Sequence, residues 1–379
     1  MVNTNALTEL FDNIADAIRT KTGGSATMKP SEFPENILGI EGGGGGGDNV
    51  AKSIVDKSIT SYSDSTVTTV GGYSFLDCDK MTSVSVPSAT TLGNYAFSSC
   101  GVLSSVNIPS VTTLGQYAFN ACTSLETISG GEVTATGNYS FTGCTALASV
   151  NFPKLVTIAQ YTFQNCTSLT EFDGEEVTTI ATYAFTGCSA LTSFNLPKAK
   201  SIGAYAFNGA GASHISLPSM TSMSSGAFRG SRFVSVDLPN VTNVANNGFR
   251  AQGYIKSVTF PKATSTSSEA MRNCTALEYV DFPVLTAFGT YTFQDCTKLA
   301  TLILRTTSKV VPMGNANILG NTAISAGNGH VYVPASLLSG YQTATNWTTI
   351  YSTNPDTFRA LEDYTVDGTI TGALDESKI

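Results

Sequence analysis

Eight cysteines are the residues of this chain best equipped for chemistry, and their spacing restricts what that chemistry can be. Cys78, Cys100, Cys122, Cys144, Cys166 and Cys188 follow one another at intervals of 22, and Cys274 and Cys296 resume the interval. A disulfide needs Cβ atoms about 3.5–4.5 Å apart with convergent geometry. Residues that recur at a fixed long period instead form a column of parallel side chains. Zinc needs four ligands around one point, and a column supplies one thiol per repeat, with only His214 and His330 in the whole sequence to assist. The spacing favours a buried, small apolar residue in a fixed niche, and Ala210 in the same slot agrees with that. No Gly-x-Ser-x-Gly elbow, His-x-x-x-His or Cys-x-x-Cys occurs, so the usual nucleophile and metal motifs are missing. Adjacent acids such as Glu175 and Glu176 point to opposite sides of an extended segment. No enzyme activity, metal or cofactor is expected.

Charge is concentrated in one stretch. Between residues 226 and 273 lie Arg229, Arg232, Arg250, Lys256, Lys262 and Arg272, against Asp237 and Glu269, in a chain whose net charge is −8. Arg229, Arg250 and Arg272 recur at intervals of 21 and 22, so stacking brings their stems to about 5 Å. Guanidinium groups so placed either splay into water or share an anion. With Arg232 beside them they are a candidate strip for a wall-polymer phosphate or an acidic neighbouring subunit; a solvated arginine row is the other reading. Ser104, Ser105, Asn107, Thr192, Ser193 and Asn195 form a small polar face that either hydrogen-bonds glycans or is merely soluble. A pI near 4.8 argues against general binding to nucleic acid or anionic membranes, which need a basic face.

These residues are positioned by a repeat. Aligning the chain on an aromatic anchor gives Phe75, Phe97, Phe119, Phe141, Phe163, Phe185, Phe207, Phe228, Phe249, Met271 and Phe293, with steps of 22 except for two of 21. Around the anchor the template reads Tyr at −2, Cys at +3, Leu at +6, apolar residues at +9 and +11, and often Pro at +12. The alternation is that of a strand with one buried face, and Pro ends it because it cannot donate to a ladder. Apolar residues at −8 and −5 mark a second short extended piece, and Tyr-Ala-Phe suggests about one helical turn. A single coil cannot bury its own apolar side chains, so neighbours must stack. The fold expected is a solenoid of about eleven mostly β coils over residues 50–304. Only 13% of residues are Asp, Glu, Lys or Arg, so hydroxyls and amides must wet the surface.

The Tyr, Phe, Cys, Leu and Pro pattern, as in "LGQYAFNACTSLETI", resembles the BspA-type leucine-rich repeats. The flanks add a second resemblance. Residues 5–21, "NALTELFDNIADAIRTK", put Leu7, Leu10, Phe11, Ile14, Ala15 and Ile18 on one helical face. With the following Lys-Thr-Gly and Pro-x-x-Phe-Pro-x-x-Ile, this resembles an N-terminal module of tail-associated proteins in phages and prophages of Gram-positive gut bacteria. Residues 1–41 are thus expected to dock or oligomerise, and the glycine run within 42–49 reads as a tether without phosphate-loop features. Residues 305–379 are expected to form an α+β cap and tail. There "GNGHVYVPASLLSGYQTATNWTTI" predicts a strand and then a helix bearing Leu337, Leu338, Tyr341 and Trp347, with Trp347 and Tyr341 either cap core or a sugar platform. Tyr-Val-Pro and Ala-Thr-Asn-Trp resemble closing segments of the same phage group. The resemblance implies a non-enzymatic virion component, a tail or baseplate fibre assembled in the host cytoplasm, homo-oligomeric, joined to other virion proteins and presenting a surface to a bacterial glycan or protein. A bacterial cell-surface adhesin and a purely structural decoration protein are the alternatives. No signal-peptide core, wall anchor or membrane span is read, which favours the phage component over the adhesin.

Overall fold

The computed structural model of the chain describes residues 57–366 and 369–370. The expected docking helix with Leu7, Leu10, Phe11, Ile14 and Ile18, the tether at 42–49 and residues 371–379 lie outside the described residues.

The described chain winds as a parallel β-solenoid. Ser61–Ser63, Ser83–Ser85 and Ser105–Asn107 pair in parallel, with Ser61 opposite Ser83 and Ser83 opposite Ser105. The same step of 22 pairs Glu171–Asp173 with Ser193–Asn195, and a step of 21 pairs His214–Ser216 with Ser235–Asp237. Central residues such as Tyr62, Val84, Ile128 and Phe172 face the core. A second column consists of two-residue strands, among them Thr157–Ile158, Thr179–Ile180, Ser201–Ile202 and Ser222–Met223. These are the extended pieces that the apolar residues at −8 and −5 foretell.

The anchor turn is not helical, contrary to expectation. Tyr95 and Ser99, either side of Phe97, have φ of 59° and 62°, and left-handed residues flank the other anchors in the same way, as in Tyr117 and Ala121 or Glu269 and Asn273. With a left-handed residue at each end of the turn, every second N–H points to the following coil. Tyr95, Phe97 and Ser99 donate to the carbonyls of Gln116, Ala118 and Asn120 in the next coil at 2.8, 2.8 and 2.7 Å. Left-handed geometry costs an L-residue about 1–2 kcal/mol, so each turn is held by its successor.

Inside the turn, the rings of Phe75 through Phe249 stack at 5.1–5.8 Å with interplanar angles of 3–22°. All are buried. Outside, Glu132, Lys154, Glu176 and Lys198 alternate on successive coils, with Lys154–Glu132 at 2.7 Å and Lys198–Glu176 at 2.6 Å. Such exposed pairs add little stability, about 0–1 kcal/mol, but keep like charges off adjacent coils.

The strand column runs on past Leu304. Tyr279–Phe282, Thr301–Leu304, His330–Val333 and Phe358–Ala360 pair in sequence. The helix expected after His330–Val333 is divided: Leu338–Thr343 and Trp347–Thr353 are separate helices, and Asn346 between them has a φ of 69°. Trp347 and Tyr341 are buried, with Trp347 Nε1 donating to the Val311 carbonyl at 2.8 Å and Tyr341 Oη accepting from the Val311 amide at 3.0 Å. They are cap core. The cap also supplies the carbonyls that the last turn needs, since Phe293 and Asp295 donate to Ile318 and Gly320 at 3.0 and 2.8 Å.

Because the phenylalanine column has no slack, Phe141→Ala is expected to cost about 3–5 kcal/mol, read as a lowered urea midpoint.

Candidate functional site

All eight cysteines are free and buried, but the slot is more than an apolar niche. Each thiol whose partner lies among the described residues donates to the carbonyl of the anchor 25 residues earlier: Cys100 to Phe75 at 3.0 Å, Cys144 to Phe119 at 3.0 Å, Cys296 to Met271 at 3.0 Å. Where cysteine is lost the donor persists. Ser231 Oγ donates to the Phe207 carbonyl at 2.6 Å, and Gln252 Nε2 donates to that of Phe228. Cysteine, serine and glutamine share a donor rather than apolarity, a signal present in the sequence. Ala210 is the exception, leaving the Phe185 carbonyl to the Cys188 amide. Burial pushes the thiols of Cys78, Cys100, Cys144 and Cys188 up to about 12 and raises Cys122, Cys166 and Cys296 as well. A thiol so held stays protonated at neutral pH, able to donate and poorly nucleophilic.

The arginine strip is brought together and partly neutralised. Arg250 Nη1 lies 2.7 Å from Glu269 Oε2, Arg272 Nη1 lies 3.4 Å from the same oxygen, and Arg272 Nε lies 3.5 Å from Asp295 Oδ2. Glu269 replaces a tyrosine of the template, and that places its carboxylate between two guanidinium groups. Arg229, half-buried, and Arg232, exposed, make no ion pair among the described residues. They are the cations left to meet an anion.

Stacking also makes a contact that motif reading misses. His214 Nδ1 lies 2.5 Å from Ser235 Oγ on the neighbouring strand. Nucleophilic catalysis would need a third group orienting the imidazole. The nearby carboxylate of Asp237 instead accepts from Ser216 Oγ at 2.7 Å. His330 Nδ1 is engaged 2.9 Å from the Asp356 carbonyl, beside a shallow pocket lined by Gly327, Gly329 and Asn354.

The most regular surface feature is a ladder of half-buried tyrosines. Tyr73, Tyr95, Tyr117, Tyr139, Tyr161, Tyr183 and Tyr205 stack at 4.4–5.2 Å with interplanar angles of 2–13°. It stops at Gly226, where a Cβ would collide with the ring of Tyr205. The sequence shows the tyrosine column; its half-exposed edge depends on the left-handed turn.

The family model of the BspA type leucine rich repeat region matches in six copies, over residues 56–170, 128–233 and 178–300. The chain is a BspA-type leucine-rich-repeat protein. Among curated proteins no sequence matches. A leucine-rich repeat protein from Bacteroides ovatus ATCC 8483 is similar in structure, with a TM-score of 0.60 and 22% identity over 74% of each chain. A leucine rich cell surface protein from Faecalibacterium prausnitzii A2-165 matches at 0.40 and 19%, covering 74% of this chain and 83% of its own. The pneumococcal vaccine antigen PcpA matches at 0.48 and 13%, covering 81% and 89%. At 22% identity the likeness to the Bacteroides ovatus protein is one of fold alone.

For this leucine-rich-repeat protein the thiols make a direct test. The folded protein is expected to leave all eight cysteines unreactive to a chromogenic disulfide reagent at pH 8, and to release the full thiol count in denaturant. Fast reaction before unfolding would contradict the buried donor column.

Proposed function

We propose that this protein is a non-enzymatic recognition fibre, a tail- or baseplate-associated phage component whose solenoid presents ordered side-chain columns to a bacterial envelope. The recognition role rests on one observation: the coils share a continuous core from Phe75 to the cap, so their exposed columns are held in fixed register, ready to meet a repetitive surface. The phage assignment is supported by the resemblance of residues 5–41 and of Gly327–Ile350 to segments of phage tail-associated proteins. On this reading residues 1–41 dock the chain, as a homo-oligomer, on other virion proteins, and the protein resides in the particle.

Two measurements test the proposal. Purified full-length protein is expected to sediment with isolated bacterial envelopes; failure with every envelope tried would remove the recognition role. Particles from a lysate of the producing strain are expected to carry the protein, and to lose it when residues 1–41 are deleted. Retention after deletion would remove the docking role, and presence only on intact cells would favour an adhesin. If Arg229 and Arg232 meet wall-polymer phosphate, Arg229→Gln with Arg232→Gln weakens envelope binding and flattens its salt dependence. Unchanged binding would leave that strip a solvated row.

A further inference from the structure

We propose that the strip built on the tyrosine ladder binds a linear neutral polysaccharide, one sugar unit per coil; this rests on the recognition reading above and names its ligand class. The first argument is conformational. Tyr95, Tyr117, Tyr139, Tyr161, Tyr183 and Tyr205 hold φ of 55–60°, a region uncommon for a residue with a side chain and costing about 1–2 kcal/mol each. The turn itself does not need tyrosine. Gly226, Asn247 and Glu269 occupy the same place and donate to the next coil from the same position, to Asn246, Ser268 and Thr290 at 2.8, 3.2 and 2.7 Å. Stacking returns about 0.5–1.5 kcal/mol per ring pair, which offsets much of the strain and accounts for an aromatic ring. It does not call for a hydroxyl, and the buried phenylalanine column beside it stacks without one.

The second argument is the chemistry of the flanks. Asn94, Gln116, Asn138 and Gln160, each exposed or half-buried, come just before the tyrosines of four successive coils, and Asn120, Thr142 and Gln164, half-buried, come just after the anchors, while Ser98 in the same place is buried. Turns 94–99, 116–121, 138–143, 160–165, 182–187 and 204–209 contain no Asp, Glu, Lys or Arg. Some amide groups are fixed by the fold: Asn94 Oδ1 accepts from the Gln116 backbone amide at 2.8 Å, and Asn138 Oδ1 from that of Gln160 at 3.1 Å. Burial and the neighbouring phenols raise Tyr95 above the usual phenol range, so it both donates and accepts at neutral pH. Phenols and amides without charge suit the hydroxyls of a neutral sugar.

The third argument is the period. The 4.4–5.2 Å between rings is close to the length of one pyranose unit in an extended β-1,4-linked chain. A polymer can therefore set one unit against each coil, with the same hydroxyls recurring at every second coil, and weak contacts add along the strip.

The test uses the full-length protein titrated calorimetrically with cellobiose, cellohexaose, chitohexaose and mannohexaose. At least one hexasaccharide is expected to bind, far more tightly than a disaccharide. The Tyr117→Phe, Tyr139→Phe, Tyr161→Phe variant keeps the stack and removes three hydroxyls. It is expected to lose about tenfold or more in affinity with its thermal midpoint unchanged. No binding by any hexasaccharide, affinity independent of length, or wild-type affinity in the variant would each overturn the proposal. The same variant assayed on envelopes separates the two readings. Undiminished sedimentation removes the ladder as the contact and leaves the recognition role standing, whereas a wild-type protein that ignores envelopes removes the role itself.

Discussion

The anchor turn of each coil holds residues in the left-handed region, and the N–H groups this geometry turns outward find their acceptors in the following coil, as Tyr95, Phe97 and Ser99 do on Gln116, Ala118 and Asn120. A turn on its own would bear the strain and leave three donors without these partners. Stacked, it gains three bonds and a ring contact. The dependence runs in one direction along the chain, so the last turn needs a substitute coil, and Ile318 and Gly320 of the cap provide it. Cap and solenoid are for this reason one structure, joined by a core that passes from Phe293 to Phe288 and Trp347.

The same constraint explains the side chains beside the turn. Nine of the eleven anchor carbonyls are approached by a side-chain donor from the following coil, supplied by seven cysteines, one serine and one glutamine. A protonated thiol combines an apolar body with a weak donor, which suits a site without water. Serine supplies the hydroxyl in less volume, and glutamine reaches from farther away. The coils around Phe228 and Phe249 thus preserve the template's hydrogen bond while losing its tyrosine, and the surface changes from a neutral ladder to the ionic chain Arg250–Glu269–Arg272–Asp295.

Two surfaces of different character follow from one backbone. The strand face carries mixed polar residues, including His214 beside Ser235, whereas the turn face carries stacked phenols between amides. Rigidity favours recognition because the columns need no ordering on binding, so less conformational entropy is lost when a partner docks.

The repeat, its strands and its buried anchors were legible in the sequence because apolar spacing and proline placement are local signals, and a period of 22 residues carried by Phe75 through Phe293 leaves no other way to bury them. The parallel column of cysteines was legible for the same reason. The shape of the anchor turn was not: Tyr-Ala-Phe has ordinary helical neighbours, and its left-handed geometry comes from hydrogen bonds to a coil 22 residues away. Nor could spacing tell that Glu269 would lie between Arg250 and Arg272, or that Asn346 would divide the cap helices, since both depend on which groups other coils and the cap bring near. Sequence fixes period and burial, which each residue expresses through its own hydrophobicity. Tertiary structure decides turn conformation and ion pairing, which belong to contacts between coils.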